Sequence, residues 1–212
     1  LTRDRVEQTR SVPMSLRWYL IPFLLLAGLA QAKTPGELVA THSKAVVDTL
    51  VEKRAEFRAD QSKLHAFVRA ELAAVFDREY SARLVLARHA RSATDAQIAA
   101  FADALTDNLL QRYGSALLDV DGNLEVKIKA ESPLRDGTMM RVNSEIVRPN
   151  GPAVPIDYLF RQTAGGRRAF GGIVQGASYV QTYRNQFDSL LRSESLDSVT
   201  RKLAEGSLRA GE

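Results

Sequence analysis

The chain has 212 residues, of which 45% are hydrophobic and 25% charged, with a formal charge of +4. That length supports one domain with a sizeable core, and the composition excludes a wholly disordered or fibrous protein. There is no cysteine, which excludes a disulfide framework, a thiol nucleophile, Cys-ligated zinc, an iron–sulfur cluster and a lipidated N-terminal cysteine. Three histidines leave little material for a metal site.

The first element reads as an export signal. Met14 to Arg17 forms a short positive n-region. Trp18 to Ala30 is an apolar run of 13 residues, interrupted at Pro22, and Ala30-Gln31-Ala32 is a small-x-small cleavage site. This is the three-part pattern of a secretory signal peptide. A spanning helix needs about 20 apolar residues, so the run is too short for a membrane anchor. The expected division is therefore 1–13 as an upstream extension foreign to the native protein, 14–32 as signal peptide, and 33–212 as one domain. Removing Arg3, Arg5, Arg10, Arg17, Asp4 and Glu7 from 29 basic and 25 acidic residues leaves 25 and 23. The remaining basic residues are scattered and not interleaved with aromatics, which argues against a nucleic-acid partner. Export without cysteine points to the periplasm of a Gram-negative bacterium.

Helices come next. Thr34-Pro35-Gly36-Glu37 is a capping box with Pro at the first helical position, and Leu38, Val39, Val46, Val47, Leu50, Val51 and Phe57 follow at helical spacing. A second helix is expected from Ser62 to Phe76, and a shorter one from Ser81 to His89. Thr94-Asp95-Ala96-Gln97 is another capping box. It opens a long helix carrying Ile98, Phe101, Leu105, Leu109, Leu110 and Tyr113, ending near Gly114 or Leu118.

The period then changes. Asp121-Gly122-Asn123 is a turn signal, after which Leu124, Val126 and Ile128 alternate with charged residues. Met140, Val142 and Ile146 share one face of the next strand. Pro149-Asn150-Gly151-Pro152 predicts a hairpin turn, and Val154, Ile156, Tyr158 and Phe160 alternate after it. Gly165-Gly166 predicts another turn, followed by a strand from Phe170 to Val174, in which Gly171-Gly172 reads as a bend or bulge rather than a phosphate cradle. Helical spacing returns with Tyr179, Val180, Tyr183, Phe187, Leu190 and Leu191, and a last helix covers Leu196 to Leu203. Helices, then a meander, then helices predict an α+β fold. A curved antiparallel sheet of four to five strands is expected under a helical layer.

No catalytic motif emerges. His42, His65 and His89 fall on separate predicted helices without paired-ligand spacing. Asp103 and Asp107 lie one helical turn apart, as on a solvated face, and no positioned partner for a general acid or base can be named.

The C-terminal stretch Gly172 to Phe187, containing Tyr183-Arg184-Asn185-Gln186-Phe187, followed by Leu190-Leu191 and Leu196-Asp197-Ser198-Val199, resembles the closing signature of the MlaC family, the toluene-tolerance auxiliary proteins. Arg83 to Gln97, Phe101 to Tyr113, and Pro149-Asn150-Gly151 with Pro155-Ile156-Asp157-Tyr158 match family stretches in the same order. There are departures. Gly171-Gly172 stands where the family carries Tyr-Asp, Gln175 replaces an acidic residue, and Ser195 replaces a glycine.

The resemblance implies a periplasmic phospholipid carrier without a cofactor. Sheet and helices would hold the acyl chains, with the headgroup near the mouth. The implied partners are an outer-membrane lipoprotein–porin complex and an inner-membrane ABC transporter complex, in a system that maintains outer-membrane lipid asymmetry. Each buried methylene contributes about 0.8 kcal/mol, so two acyl chains represent on the order of 20 kcal/mol, and the carrier must offer a comparable apolar interior. Strand parity and helix faces nominate Met140, Val142, Ile146, Ile156, Tyr158, Phe160, Phe170, Val174, Leu109, Tyr113, Val180 and Phe187 as its lining. Arg184 or Lys129 would provide generic headgroup contact. An adaptor with a solid core and an enzyme on a similar fold are the alternatives.

Overall fold

A computed structural model describes residues 33–120, 122–149 and 151–211, which belong to a unit that begins at Lys33. The predicted export signal over 14–32 and the extension over 1–13 lie outside the described residues. Helix α1 (Pro35–Glu52) begins at the predicted capping box. Thr34 Oγ1 accepts from the Glu37 amide at 3.2 Å and Glu37 Oε2 accepts from the Thr34 amide at 2.8 Å. Glu131, on the first strand, adds its carboxylate to this helix N-terminus, accepting from Thr34 Oγ1 at 2.7 Å and from the Gly36 amide at 3.0 Å. A negative group at the positive end of the helix dipole fastens α1 across the sheet.

The helical spacing that predicts one helix through Phe57 is broken at Lys53, and α2 (Arg54–Ala59) follows as a separate helix. Arg54 donates to the Val120 carbonyl at 2.5 Å, and Phe57 lies in a packed cluster with Leu50, Leu64 and Leu118. Helix α3 (Gln61–Val75) is capped by Asp60, and α4 (Arg78–Leu86) by Asp77. Because Asp77 serves as N-cap, α4 starts three residues before the predicted Ser81. It ends at Ala87, whose φ is +51°, and a 3-10 turn covers Ala87–Arg91. Helix α5 (Asp95–Tyr113) opens on the Thr94/Gln97 capping box and runs into a 3-10 turn over Gly114–Asp119.

Five strands follow in an antiparallel meander: β1 (Glu125–Leu134), β2 (Met139–Val147), β3 (Val154–Thr163), β4 (Gly166–Val174) and the two-residue β5 (Ala177–Ser178). The fold is the expected α+β class. The register shifts between Ile128 and Ala130 and, in the β3–β4 pair, between Leu159 and Phe160, where Phe170 is the unpaired residue of β4. Such bulges bend a sheet and increase its twist. Helices α6 (Tyr179–Leu190) and α7 (Leu196–Ala204) return over the helical side.

Two polar ties join α3, α4 and the sheet. Arg168 of β4 donates to the Ala73 and Phe76 carbonyls, satisfying the C-terminal end of α3. Arg161 of β3 pairs with Asp77 at 2.6 Å and stacks over the Tyr80 ring at 4.3 Å. The main helical core packs Phe101 edge-on against Phe187, with centroids 5.0 Å apart, among Leu86, Ile98, Val199 and Leu203.

Candidate functional site

Helices α3, α4, α5 and α6 do not close completely on one another. They leave a cavity of about 560 Å³, floored by Gly171 and Gly172 of β4. Its wall is built from apolar residues such as Leu72 and Phe76 at the end of α3, Val85 of α4, Leu105 and Leu109 of α5, and Val180 of α6. Two of its polar side chains are committed elsewhere. Arg78 is ion-paired with Asp103, and Thr106 donates to the Ala102 carbonyl at 2.7 Å. The wall contains no carboxylate and no histidine. Among the described residues no cluster of His, Asp or Glu could hold a metal ion, and no helix is long and apolar enough to cross a membrane.

Three tyrosines edge the cavity. Tyr179 and Tyr183 lie one turn apart on α6, and Tyr113 is the last residue of α5. Tyr113 and Tyr179 are 47% and 49% exposed, whereas Tyr183 is buried. Burial pushes the Tyr183 phenol up to about 12, with the neighbouring Tyr113 and Tyr179 adding to the effect. An unfolded tyrosine ionises near 10, so above that pH the unfolded state holds fewer protons than the folded one and stability falls with rising pH. The contribution is fully present below about 10 and is lost progressively up to about 12. Urea unfolding across this window is expected to show a steeper loss of stability for the wild type than for Tyr183→Phe. Identical slopes would refute the assignment.

Of the twelve residues nominated from the sequence, Leu109, Tyr113 and Val180 stand in the cavity wall. The others are placed elsewhere. Val142 and Phe160 are packed with Val39 and Ala169, and Met140 and Tyr158 lie against this cluster. Ile146, Ile156 and Val174 are half-buried on the same sheet face. Phe170, at the bulge, meets the Tyr80 ring edge-on at 5.2 Å, and Phe187 is fully buried against Phe101. The physical reason is that alternation selects a face but not its cover, and α1 lies over much of this one through Leu38 and Val39. Neither nominated headgroup residue borders the cavity. Lys129 pairs with Glu145 at 2.5 Å, and Arg184 donates to the Leu84 carbonyl at 2.8 Å.

Sequence reasoning passed over Leu105, Tyr179, Tyr183 and the glycine pair as wall residues. The glycines carried the available signal. A Cβ at Gly171 would meet Val180 Cγ2 at 3.2 Å, so the missing side chain admits α6 to the sheet. A Cβ at Gly172 would find only the Asp157 carbonyl, at 3.8 Å.

A family model described as MlaC protein matches residues 40–205. The chain belongs to the MlaC family. The match runs from within α1 to the end of α7, so it includes every element that borders the cavity. The toluene tolerance protein ttg2D of Pseudomonas putida is 24% identical over 179 residues, covering 84% of this chain and 81% of that protein. A solved phospholipid-binding protein from Ralstonia solanacearum, determined in complex with a phospholipid, superposes with a TM-score of 0.73 at 22% identity. It covers 82% of this chain and 97% of its own, a likeness of fold. The Gly-Gly departure from the MlaC pattern leaves β4 continuous, with Gly171 and Gly172 still paired to Leu159 and Tyr158.

Proposed function

We propose that this MlaC-family chain is a periplasmic phospholipid carrier that holds acyl chains in the helical cavity. It would shuttle lipid between an outer-membrane lipoprotein–porin complex and an inner-membrane ABC transporter complex, so maintaining outer-membrane lipid asymmetry. The observation that carries the reading is the cavity itself: a compartment of about 560 Å³ with a largely apolar wall, bordered by helices and the Gly171-Gly172 backbone. Burying hydrocarbon there is favourable in proportion to the area removed from water. Family membership and the phospholipid held by the Ralstonia protein agree with this reading.

The export signal read over 14–32 supplies the route to the periplasm, with cleavage after Ala32. Lipid extraction and mass spectrometry of the purified protein provide the test. Co-purified phospholipid is the expected result, together with transfer of labelled lipid between donor and acceptor vesicles. A protein that arrives bare and never takes up lipid would favour an adaptor with no lipid ligand.

A further inference from the structure

The tyrosines at the cavity edge are more than packing. Tyr179 and Tyr183 project from the same face of α6 with ring centroids 6.0 Å apart. A methyl group on Gly211 would lie 3.6 Å from Tyr113 Oη and 3.9 Å from Tyr183 Oη, so those hydroxyls converge on one place beside the C-terminal segment. None of the three hydroxyls is hydrogen-bonded to a described residue. The Tyr183 ring is buried while its hydroxyl is not sealed in the core, so the ring is held by packing and the polar end is left open. Tyr113 and Tyr179 leave nearly half their surface in water, so packing does not account for aromatic rings there. The Arg112 guanidinium lies over the Tyr113 ring at 5.1 Å and donates to the Ala210 carbonyl, bringing positive charge to the same edge.

We propose that Tyr113, Tyr179 and Tyr183 form a donor collar at the cavity mouth, which hydrogen-bonds the ester and phosphodiester oxygens of a bound glycerolipid while its hydrocarbon lies inside. The proposal rests on the carrier reading above. Phenol rings suit the boundary between an apolar compartment and water, since one end is hydrophobic and the other polar. The Tyr183 phenol stays protonated, and therefore a donor, well beyond neutral pH. The collar reads the oxygen-rich linkage that glycerolipids share, not the terminal headgroup.

The test compares the delipidated protein with the triple variant Tyr113→Phe, Tyr179→Phe, Tyr183→Phe, which keeps each ring and removes each hydroxyl. Binding of fluorescent phosphatidylglycerol is expected to weaken about tenfold, while a purely hydrocarbon fluorescent probe binds as before. Diacylglycerol weakening by the same factor would assign the contact to ester oxygens. Weakening confined to phospholipid would assign it to the phosphodiester, and either result supports the collar. Unchanged phospholipid binding overturns it, as does equal loss of the hydrocarbon probe, which would mean damage to the cavity. Should the triple variant not fold, the pair Tyr113→Phe, Tyr179→Phe changes only exposed positions and must still weaken phospholipid binding, or the collar fails. A wild-type protein that binds no phospholipid overturns the carrier reading and the collar with it. Phospholipid binding that is indifferent to the three hydroxyls overturns the collar alone.

Discussion

The variant Leu109→Trp is expected to lose most of its lipid loading while remaining folded. Leu109 stands half-buried in the wall of the cavity. A larger side chain there grows into the space that the wall borders, and what it displaces is ligand. The added bulk excludes on the order of three methylenes, or about 2 kcal/mol of transfer free energy, which is roughly thirtyfold in affinity. Leu109→Met, close in volume, is the control and should load normally. Gly171→Ala should behave in the opposite way. Its Cβ would crowd Val180 Cγ2 at 3.2 Å, so it disturbs the seating of α6 and lowers stability. Gly172, the next residue of the strand, faces the other side of the sheet. Its Cβ would meet only the Asp157 carbonyl at 3.8 Å, so Gly172→Ala should change neither property. Lipid quantified by mass spectrometry, alongside thermal melts, separates these effects. Normal loading of Leu109→Trp would show that the ligand does not occupy this cavity.

The contrast between the two glycines shows where sequence reading stops. Backbone chemistry was legible: the Thr34 and Thr94 capping boxes start helices where they are expected, and alternation through Val142 and Phe160 marks one sheet face. The break at Lys53 was not legible: no Pro or Gly marks it, and the hydrogen bond beside it joins Arg54 to the Val120 carbonyl, 66 residues away. The two-residue β5 is too short to show a period. The cavity is the deeper case. Along α5, Ile98 and Phe101 belong to the solid core, whereas Leu105, Leu109 and Tyr113, continuing the same helical stripe, border the cavity. On α6, Val180 and Tyr183 border it and Phe187 does not. A stripe records that a face avoids water, and filled or hollow depends on what stands opposite. Only the glycines, as absent side chains in an otherwise apolar strand, hinted at space.

The side of α5 facing away from the cavity makes a different demand, and Asn108→Ala is expected to expose it. Asn108 is a polar residue only 5% exposed. Its Nδ2 donates to the Leu203 carbonyl at 2.9 Å and the Leu208 carbonyl at 2.7 Å, and its Oδ1 accepts from the Ala210 amide at 3.0 Å. One side chain thus ties α5 to the end of α7 and to the segment that seats the fully buried Ala210. Alanine removes all three bonds and strands buried backbone groups, at a cost of about 2–4 kcal/mol. For a chain of this size that lowers the melting temperature by roughly 5–15 °C. Asn108→Asp should not rescue it, since a carboxylate keeps the acceptor but turns oxygen toward two carbonyls. Because Asn108 does not border the cavity, the folded fraction of the variant should still load lipid, the reverse of Leu109→Trp. Calorimetry showing a melt within about 2 °C of the wild type would mean that the C-terminal segment is held by other contacts, such as Gln186 with Arg209 and Gly211.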